Sequence, residues 1–514
     1  MTEGMHHVTA ITRRVQANVD FYAGFLGLRM VKQTGGFEDA EQLHLVYGDW
    51  AGNPGSLVTF LVWEDGAPGR VGSGQVSEVA FAVPVRSIGT WLTRALDAGL
   101  QVEGPNREFG EPVLRLKDPD RIIVKLVGSD MSSAAPLPDP DAPTRLRSVT
   151  ILSVVPDETS AFLARFGYRE GARDGAIRRW TSDRDAVDVR DASGYVPGIP
   201  GTGIVDHVAF RAADGDALRR MRRDLASHDG ITNVHDRKYF LSLYVREPGG
   251  TLLEQATDGP GMDVDEDIDR LGETLFVPDS DRNRAEDLRV MLPQFARPGA
   301  ARIVLRDLPF IHRFHTPEEA DGHLILTLHG TGGSEADLFP IAARIDPAAT
   351  LLGLRGRATE EGVARFFRRF DTALFDQADI RAEAEAFQAF WQQAVRSYGL
   401  DPDRITVMGY SNGANFAAAV MALYPGLVRR AILLRAVMPL EEPPEPDLSD
   451  VQVLTVTGAD DPYSRHAARL NDWLQDCGAA VDPREIAAGH GLSDADQTMA
   501  RDWLVGVRVP GGMD

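Results

Sequence analysis

His207-Val-Ala-Phe-Arg211 opens with a polar residue and runs on as an apolar strand. Three other stretches begin the same way: His7-Val-Thr-Ala-Ile11, Glu78-Val-Ala-Phe-Ala82 and Ser148-Val-Thr-Ile-Leu152. A short helix candidate follows each of the four, over residues 18–26, 86–98, 158–166 and 214–227 in chain order. Three of these helices stop at or beside Gly27, Gly99 and Gly167, the residue type that best tolerates the left-handed conformation of a C-terminal cap. Further strands are expected at residues 57–63, 122–127 and 252–255. A unit of one strand, one helix and several more strands therefore recurs four times and fills residues 1 to about 260.

Beyond the repeats, residues 258–288 are acidic, contain Pro and are weakly patterned, as expected of a tail that leads into a linker. From Ala301 the pattern changes. Short apolar strands at 323–328, 350–354, 405–408, 431–434 and 451–457 alternate with helices that include 384–398, 414–423 and 467–477. Such strands, separated by helices, predict a parallel sheet covered on both faces. The expected fold class is multidomain, α+β followed by α/β: two double modules at residues 1–135 and 136–295, then a third domain at 300–514.

Composition narrows the function classes. The chain has 514 residues, enough for two to four domains with their own cores, and 54 Lys and Arg against 76 Asp and Glu leave a net charge of −22. That balance argues against nucleic acid, whose phosphates require clustered cations. No apolar run approaches the roughly 20 residues that cross a bilayer. The start, Met1 to His7, lacks the basic and apolar regions of a signal peptide, so the cytoplasm is the expected compartment. Cys477 is the only cysteine, which leaves no intramolecular disulfide and no thiolate cluster within one chain. A metal would have to be held by His, Asp or Glu.

His7 and His207 hold equivalent opening positions in the first and fourth repeats, so pairing of those repeats would bring the two imidazoles together. Glu254 lies in the last strand of the fourth repeat, after a Pro-Gly-Gly turn that would lay that strand beside the one bearing His207. A carboxylate inside an apolar strand is costly to bury alone, so Glu254 calls for a cation. Two imidazoles and one carboxylate leave open coordination positions, the arrangement of non-heme Fe(II) oxygen chemistry.

With these residues in place, the chain resembles the vicinal oxygen chelate (VOC) superfamily, and within it the ring-cleaving dioxygenases of the hydroquinone-cleaving type. The matching pieces are His6-His7-Val-Thr9, Asp206-His207-Val-Ala-Phe-Arg211, the run from Asp236-Arg237 through Tyr244 to Glu247-Pro-Gly-Gly250, and Leu253-Glu254-Gln-Ala-Thr-Asp-Gly-Pro-Gly261. The resemblance covers residues 1 to about 295 and implies tandem βαβββ modules. It also implies His7, His207 and Glu254 as metal ligands, Fe(II) as the usual metal with Mn(II) as the alternative, and Tyr244 and Arg237 in the substrate site. His6 and Thr9 lie beside the first ligand as substrate-binding candidates. One departure is Asp206, where the family often has His.

A glyoxalase-type isomerase would need a fourth protein ligand. The corresponding strand, Ser56-Leu-Val-Thr-Phe-Leu-Val-Trp63, contains no ionisable side chain, which favours three ligands and room for a substrate oxygen together with dioxygen. A noncatalytic module that sequesters quinones or antibiotics is the other alternative for this region.

In the third domain, Gly409-Tyr-Ser411-Asn-Gly413 follows the strand at 405–408 and precedes the small-residue helix that starts at Ala414. A sharp strand-to-helix turn of this kind needs small neighbours and exposes the Ser hydroxyl above a sheet. Asp460 and Asp461 follow a later strand and His490 lies on a late loop, so the order Ser, Asp, His is that of an α/β-hydrolase triad. The Gly-rich turn His329-Gly-Thr331-Gly-Gly ends an upstream strand, which makes the backbone N–H groups of Thr331 and Asn412 the natural oxyanion-hole donors, while His329 is expected to be structural. These pieces resemble the phospholipase/carboxylesterase and dienelactone-hydrolase-like branch of the α/β-hydrolases, over about residues 301 to 510. The spacing in that branch selects Asp461 over Asp460.

The expected protein is thus bifunctional: a ring-cleaving dioxygenase acting on dihydric phenols, fused to a serine esterase. Its expected partners are phenolic and ester substrates and dioxygen, with no nucleic acid and no membrane. A homo-oligomer is left open.

Overall fold

The computed structural model describes residues 4–131, 139–228, 230–371 and 374–508. The chain forms two compact units, one of residues 1–283 with 295–301 and the other of residues 284–294 with 302–514. The expected boundary between residues 135 and 136 lies outside the described residues.

In the first unit, Met5–Thr12 leads into helical residues 15–25 and then the strands Arg29–Gly35, Leu43–Gly48 and Leu57–Val62. The same βαβββ order restarts at Gln75–Val83, Arg145–Ser153 and Ile204–Ala212. Gly27, Gly99 and Gly167 sit just past the first three helical stretches with φ of 72°, 67° and 89°, the left-handed caps expected of them. Within each repeat the first strand pairs parallel with the last, as in His7 opposite Leu57 and Ala209 opposite Glu254.

Repeats pair through their first strands. Met5–Thr12 lies antiparallel to Ile204–Ala212 in a nine-stranded sheet built from the first and fourth repeats, with Leu275–Phe276 added at one edge. Gln75–Val83 lies antiparallel to Arg145–Ser153 in an eight-stranded sheet built from the second and third. The two opening strands of the nine-stranded sheet are central and mostly buried, with His7, Thr9 and His207 enclosed and Asp206 and Arg211 partly exposed. The acidic stretch expected as a linker is held on this unit: buried Lys32 binds Asp265 at 2.6 Å and also Glu266.

The second unit is a seven-stranded sheet in the order His312–His315, Thr350–Leu354, Leu324–Leu328, Ile405–Tyr410, Arg430–Leu434, Gln452–Gly458, Ala480–Ile486. Only the first of these runs antiparallel to its neighbour. Helices Gln377–Tyr398, Asn412–Leu423 and Ala467–Asp476 bury Phe387, Phe416, Leu470 and their neighbours in one core. Phe339–Ile345 and Asp494–Arg508 bury Phe339, Ala500 and Leu504 in another. Short apolar strands with helices on both sides are what a mostly parallel sheet demands. Residues 284–294 cluster with this unit because Val290 packs against its second core and Arg313 donates to Met291 O.

Candidate active sites

In the nine-stranded sheet, a cross-strand row runs from Tyr244 through Glu254 and Ala209 to His7, and His207 stands two residues before Ala209 on the same face. His7 Nε2 lies 3.1 Å and His207 Nε2 2.8 Å from the same oxygen, Glu254 Oε2. One nitrogen or oxygen from each of the three residues falls within 4.8 Å of the others, and all three side chains are buried. His207 Nε2 and both oxygens of Glu254 nevertheless have no partner in hydrogen-bonding geometry. Buried orphan atoms of this kind, converging on one point, fit a divalent cation held by two imidazoles and a carboxylate.

The outer nitrogens of both imidazoles are occupied, which leaves Nε2 to face the shared point. Asp206 Oδ2 lies 2.7 Å from His207 Nδ1, so the residue that departs from the family pattern orients the His207 ring. His6 Nδ1 lies 2.9 Å from His7 Nδ1. Strict strand alternation would put His6 and His7 on opposite faces, but a register shift between Met5 and His7 inserts an extra residue in the opening strand and brings the two rings together. Burial, then His7, lowers the His6 pKa to about 3, so His6 is neutral and one of the two Nδ1 atoms donates to the other. Burial alone would raise the Glu254 carboxyl, yet His7 and His207 outweigh it and hold it well below the usual range. Burial alone would lower His207, but the hydrogen bond to Asp206 and the contact with Glu254 raise it to about 9.

The other expected residues of this site are brought together as well. The Tyr244 ring meets His207 edge-on at 5.4 Å, and the Arg237 guanidinium lies 5.8 Å from the Tyr244 ring centre and 2.8 Å from Glu38. Thr9 bonds to Thr59 at 2.9 Å, and Thr59 to His44 Nε2 at 3.0 Å. Sequence reasoning missed His44, whose pKa burial and the nearby His7 and His207 lower to about 3, and Phe240, which packs on the His6 and His7 rings. A His within the apolar strand Leu43–Gly48 carries the same kind of signal that singled out Glu254. Asp206→Asn keeps the side-chain size and removes the charge behind His207. It is expected to weaken metal binding about 10–100-fold with ester hydrolysis unchanged, read by competition with a metal chelator.

The eight-stranded sheet has a counterpart of this site. By register, Glu78 stands where His207 does, and Lys125, opposite Ala80, where Glu254 does. Lys125 Nζ binds Glu78 Oε2 at 2.9 Å and Glu108 at 3.1 Å, and Arg115 binds Glu78 at 3.1 Å. Asp188 on the same sheet is held by Arg179 at 2.8 Å. Ion pairs thus occupy the counterparts of His207 and Glu254, while the counterpart of His7 is Ser148.

In the second unit the nucleophile turn forms at the carboxyl end of a central strand. Ser411 has φ 49° and ψ −113°, a strained conformation for a residue with a side chain, and its N–H donates to Leu434 O at 2.8 Å. His490 Nε2 lies 3.0 Å from Ser411 Oγ, and His490 Nδ1 2.8 Å from Asp461 Oδ2. Asp461 is buried, with Oδ1 taken by Tyr463 N–H at 2.9 Å, so its free oxygen fixes the imidazole orientation. A Cβ on Gly413 would fall 2.1 Å from Leu328 O and 2.6 Å from His329 O. Gly413→Ala is therefore expected to cost about 1–3 kcal/mol of second-unit stability and most ester turnover, measured by chemical denaturation and an ester assay.

Asn412 opens the helix after Ser411, a position whose backbone N–H has no partner within the helix, and its side-chain Oδ1 accepts from Phe366 N at 2.7 Å. Thr331 lies exposed on the turn after Leu324–Leu328. His329 is structural: Nδ1 bonds Gly330 O at 2.5 Å and Nε2 accepts from Gly356 N at 2.9 Å. Also missed from sequence was Arg435, which is fully buried against Asp496 at 2.6 Å and donates to Gly489 O and Gly491 O at 3.0 and 3.1 Å. That clamp grips the chain on either side of His490.

The family model of the glyoxalase/bleomycin resistance protein/dioxygenase superfamily matches residues 4–126. MhqO of Bacillus subtilis (strain 168), whose name marks it as a ring-cleaving dioxygenase, is 36% identical over 287 residues, covering 54% of this chain and 91% of that one. The chlorohydroquinone/hydroquinone 1,2-dioxygenase of Sphingobium indicum is 31% identical over 309 residues, covering 56% of this chain and 96% of that one. MhqD of Bacillus subtilis (strain 168), named a hydrolase, is 34% identical over 183 residues, covering 35% of this chain and 92% of that one.

Proposed function

Because the chain belongs to the glyoxalase/bleomycin resistance protein/dioxygenase superfamily, and within it to the ring-cleaving dioxygenases, we propose that residues 1–295 cleave hydroquinone-like dihydric phenols with dioxygen in an extradiol manner. Residues 300–514 act as a serine carboxylesterase. The observation that carries the first half is Glu254, a fully buried carboxylate flanked by two imidazoles with neither oxygen hydrogen-bonded. His7, His207 and Glu254 would hold Fe(II), with Mn(II) as the alternative.

When bound, the metal supplies the activation of dioxygen and of the phenolic oxygen. The chain's own residues do the rest. Asp206 and His6 fix the two imidazoles, while Tyr244 hydrogen-bonds a substrate oxygen. Burial keeps the Tyr244 hydroxyl protonated by raising its pKa, with Glu254 adding to the effect. Arg237, against the Tyr244 ring, offers charge to an anionic phenolate or carboxylate. Thr9 and Phe240 shape the pocket beside His7. An isomerase of the glyoxalase type would call for a fourth ligand, and the strand Leu57–Val62 offers only the hydroxyl of Thr59 on this face.

In the second half, His490 takes the proton of Ser411 as its oxygen adds to the ester carbonyl, and Asp461 stabilises the imidazolium. The N–H groups of Thr331 and Asn412 receive the developing negative oxygen. The test is anaerobic reconstitution of the whole chain with Fe(II) or Mn(II), followed by an oxygen electrode with substituted hydroquinones and a spectrophotometric assay with aryl esters. Uptake of one dioxygen per ring opened, together with ester hydrolysis, is the expected result. No uptake with any dihydric phenol, under either metal, rules the first half out.

A further inference from the structure

We propose that the side-chain hydroxyl of Thr331, polarised by the buried guanidinium of Arg365, is a third donor to the oxyanion, a role that rests on the esterase reading above. Arg365 is only 3% exposed, and its Nη1 donates to Thr331 Oγ1 at 2.8 Å while its Nε donates to Phe367 O at 3.2 Å. A guanidinium has donors and no acceptor, so the proton of the Thr331 hydroxyl cannot return to Arg365 and is directed to another acceptor. Thr331 is exposed on the turn whose N–H is assigned to the oxyanion, so an ester bound there would replace solvent as the acceptor of that proton.

The segment that carries Arg365 is fixed to both halves of the oxyanion site. Gly332 N donates to Ala364 O at 2.9 Å and Phe366 N to Asn412 Oδ1 at 2.7 Å. The Phe366 ring stacks on Phe416 of the nucleophile helix at 5.0 Å. Charge also favours the role. Glu360 lies 3.5 Å from Arg365 and 3.2 Å from Arg369, so one carboxylate serves two guanidiniums and positive charge remains behind the hydroxyl. A donor backed by a cation forms the stronger hydrogen bond to a negative oxygen.

The step balances as follows. Ser411 Oγ bonds to the carbonyl carbon, its proton passes to His490 Nε2, and the carbonyl π pair moves onto the oxygen that accepts from Thr331 N–H, Asn412 N–H and Thr331 O–H. Collapse returns that pair to the carbonyl, breaks the bond to the leaving oxygen, and His490 protonates it. Arg365 never touches substrate and acts as a positioning residue through Thr331.

The experiment compares Thr331→Val, Thr331→Ser, Arg365→Met and the Thr331→Val/Arg365→Met double variant in the whole chain, with 4-nitrophenyl acetate as substrate. Thr331→Val, which keeps the backbone N–H and the side-chain shape, is expected to lower kcat on the order of 10²-fold with KM nearly unchanged, while Thr331→Ser retains most turnover. The double variant is expected to fall no further than the worse single, because both changes remove one interaction. Wild-type kcat in Thr331→Val, or effects of the two changes that multiply, overturns the proposal while leaving the esterase reading intact. A wild-type chain with no Ser411-dependent hydrolysis overturns both.

Discussion

Glu254→Ala is expected to abolish dioxygen uptake and to strip the bound metal, with 4-nitrophenyl acetate hydrolysis within about twofold of wild type. Even an outer residue that merely orients a ligand is worth about 10–100-fold in affinity, so loss of the sole carboxylate in a three-residue set should exceed that. The two imidazoles would remain, but no carboxylate would touch the cation directly in a buried site, Asp206 reaching only the outer nitrogen of His207. Metal content by elemental analysis and an oxygen-electrode trace check the result. A variant that retains stoichiometric metal would place the ligand set elsewhere. The unaffected esterase shows that the second unit has folded, and a circular dichroism melt checks the first.

Ser411→Ala should do the reverse: ester turnover falls by about 10⁶-fold, the size of loss seen when the Ser or His of a serine protease triad is removed, while dioxygen uptake is unchanged. The large value follows from the alignment of Ser411, His490 and Asp461 at 3.0 and 2.8 Å, since groups acting as one unit fail together. His490→Ala should lose nearly as much. Labelling with a fluorophosphonate provides a second reading, in that wild type is modified at Ser411 and the Ser411→Ala chain is not.

Much of this was legible because both sites are written in strand-end grammar. The four openings at His7, Glu78, Ser148 and His207 share a polar-then-apolar pattern that the βαβββ repeat turns into four first strands. The Gly-x-Ser-x-Gly turn is legible because Gly413 has backbone oxygens where a Cβ would sit. What lay outside sequence reasoning depends on register or on distant packing. No pattern in Met5-His6-His7 announces the extra residue that turns both imidazoles to one side. The roles of Asp206 and Arg435 rest on contacts: one depends on a neighbour's ring orientation, the other on Asp496, 61 positions away. Arg365 is the same case, an apparently ordinary basic residue until its contact with Thr331 is seen.

The paired sheets carry a practical corollary. The repeated unit gives this polypeptide two cups, but in one of them Lys125, Glu78, Arg115 and Glu108 form a neutral weld where its twin keeps a socket. Placing His at position 78 and Glu at position 125 would remove two members of that cluster and leave Arg115 paired with Glu108 alone. A redesign would also have to supply a third ligand at Ser148, which stands opposite Ala80 as His7 stands opposite Ala209, so the fold's symmetry is far easier to see than to exploit.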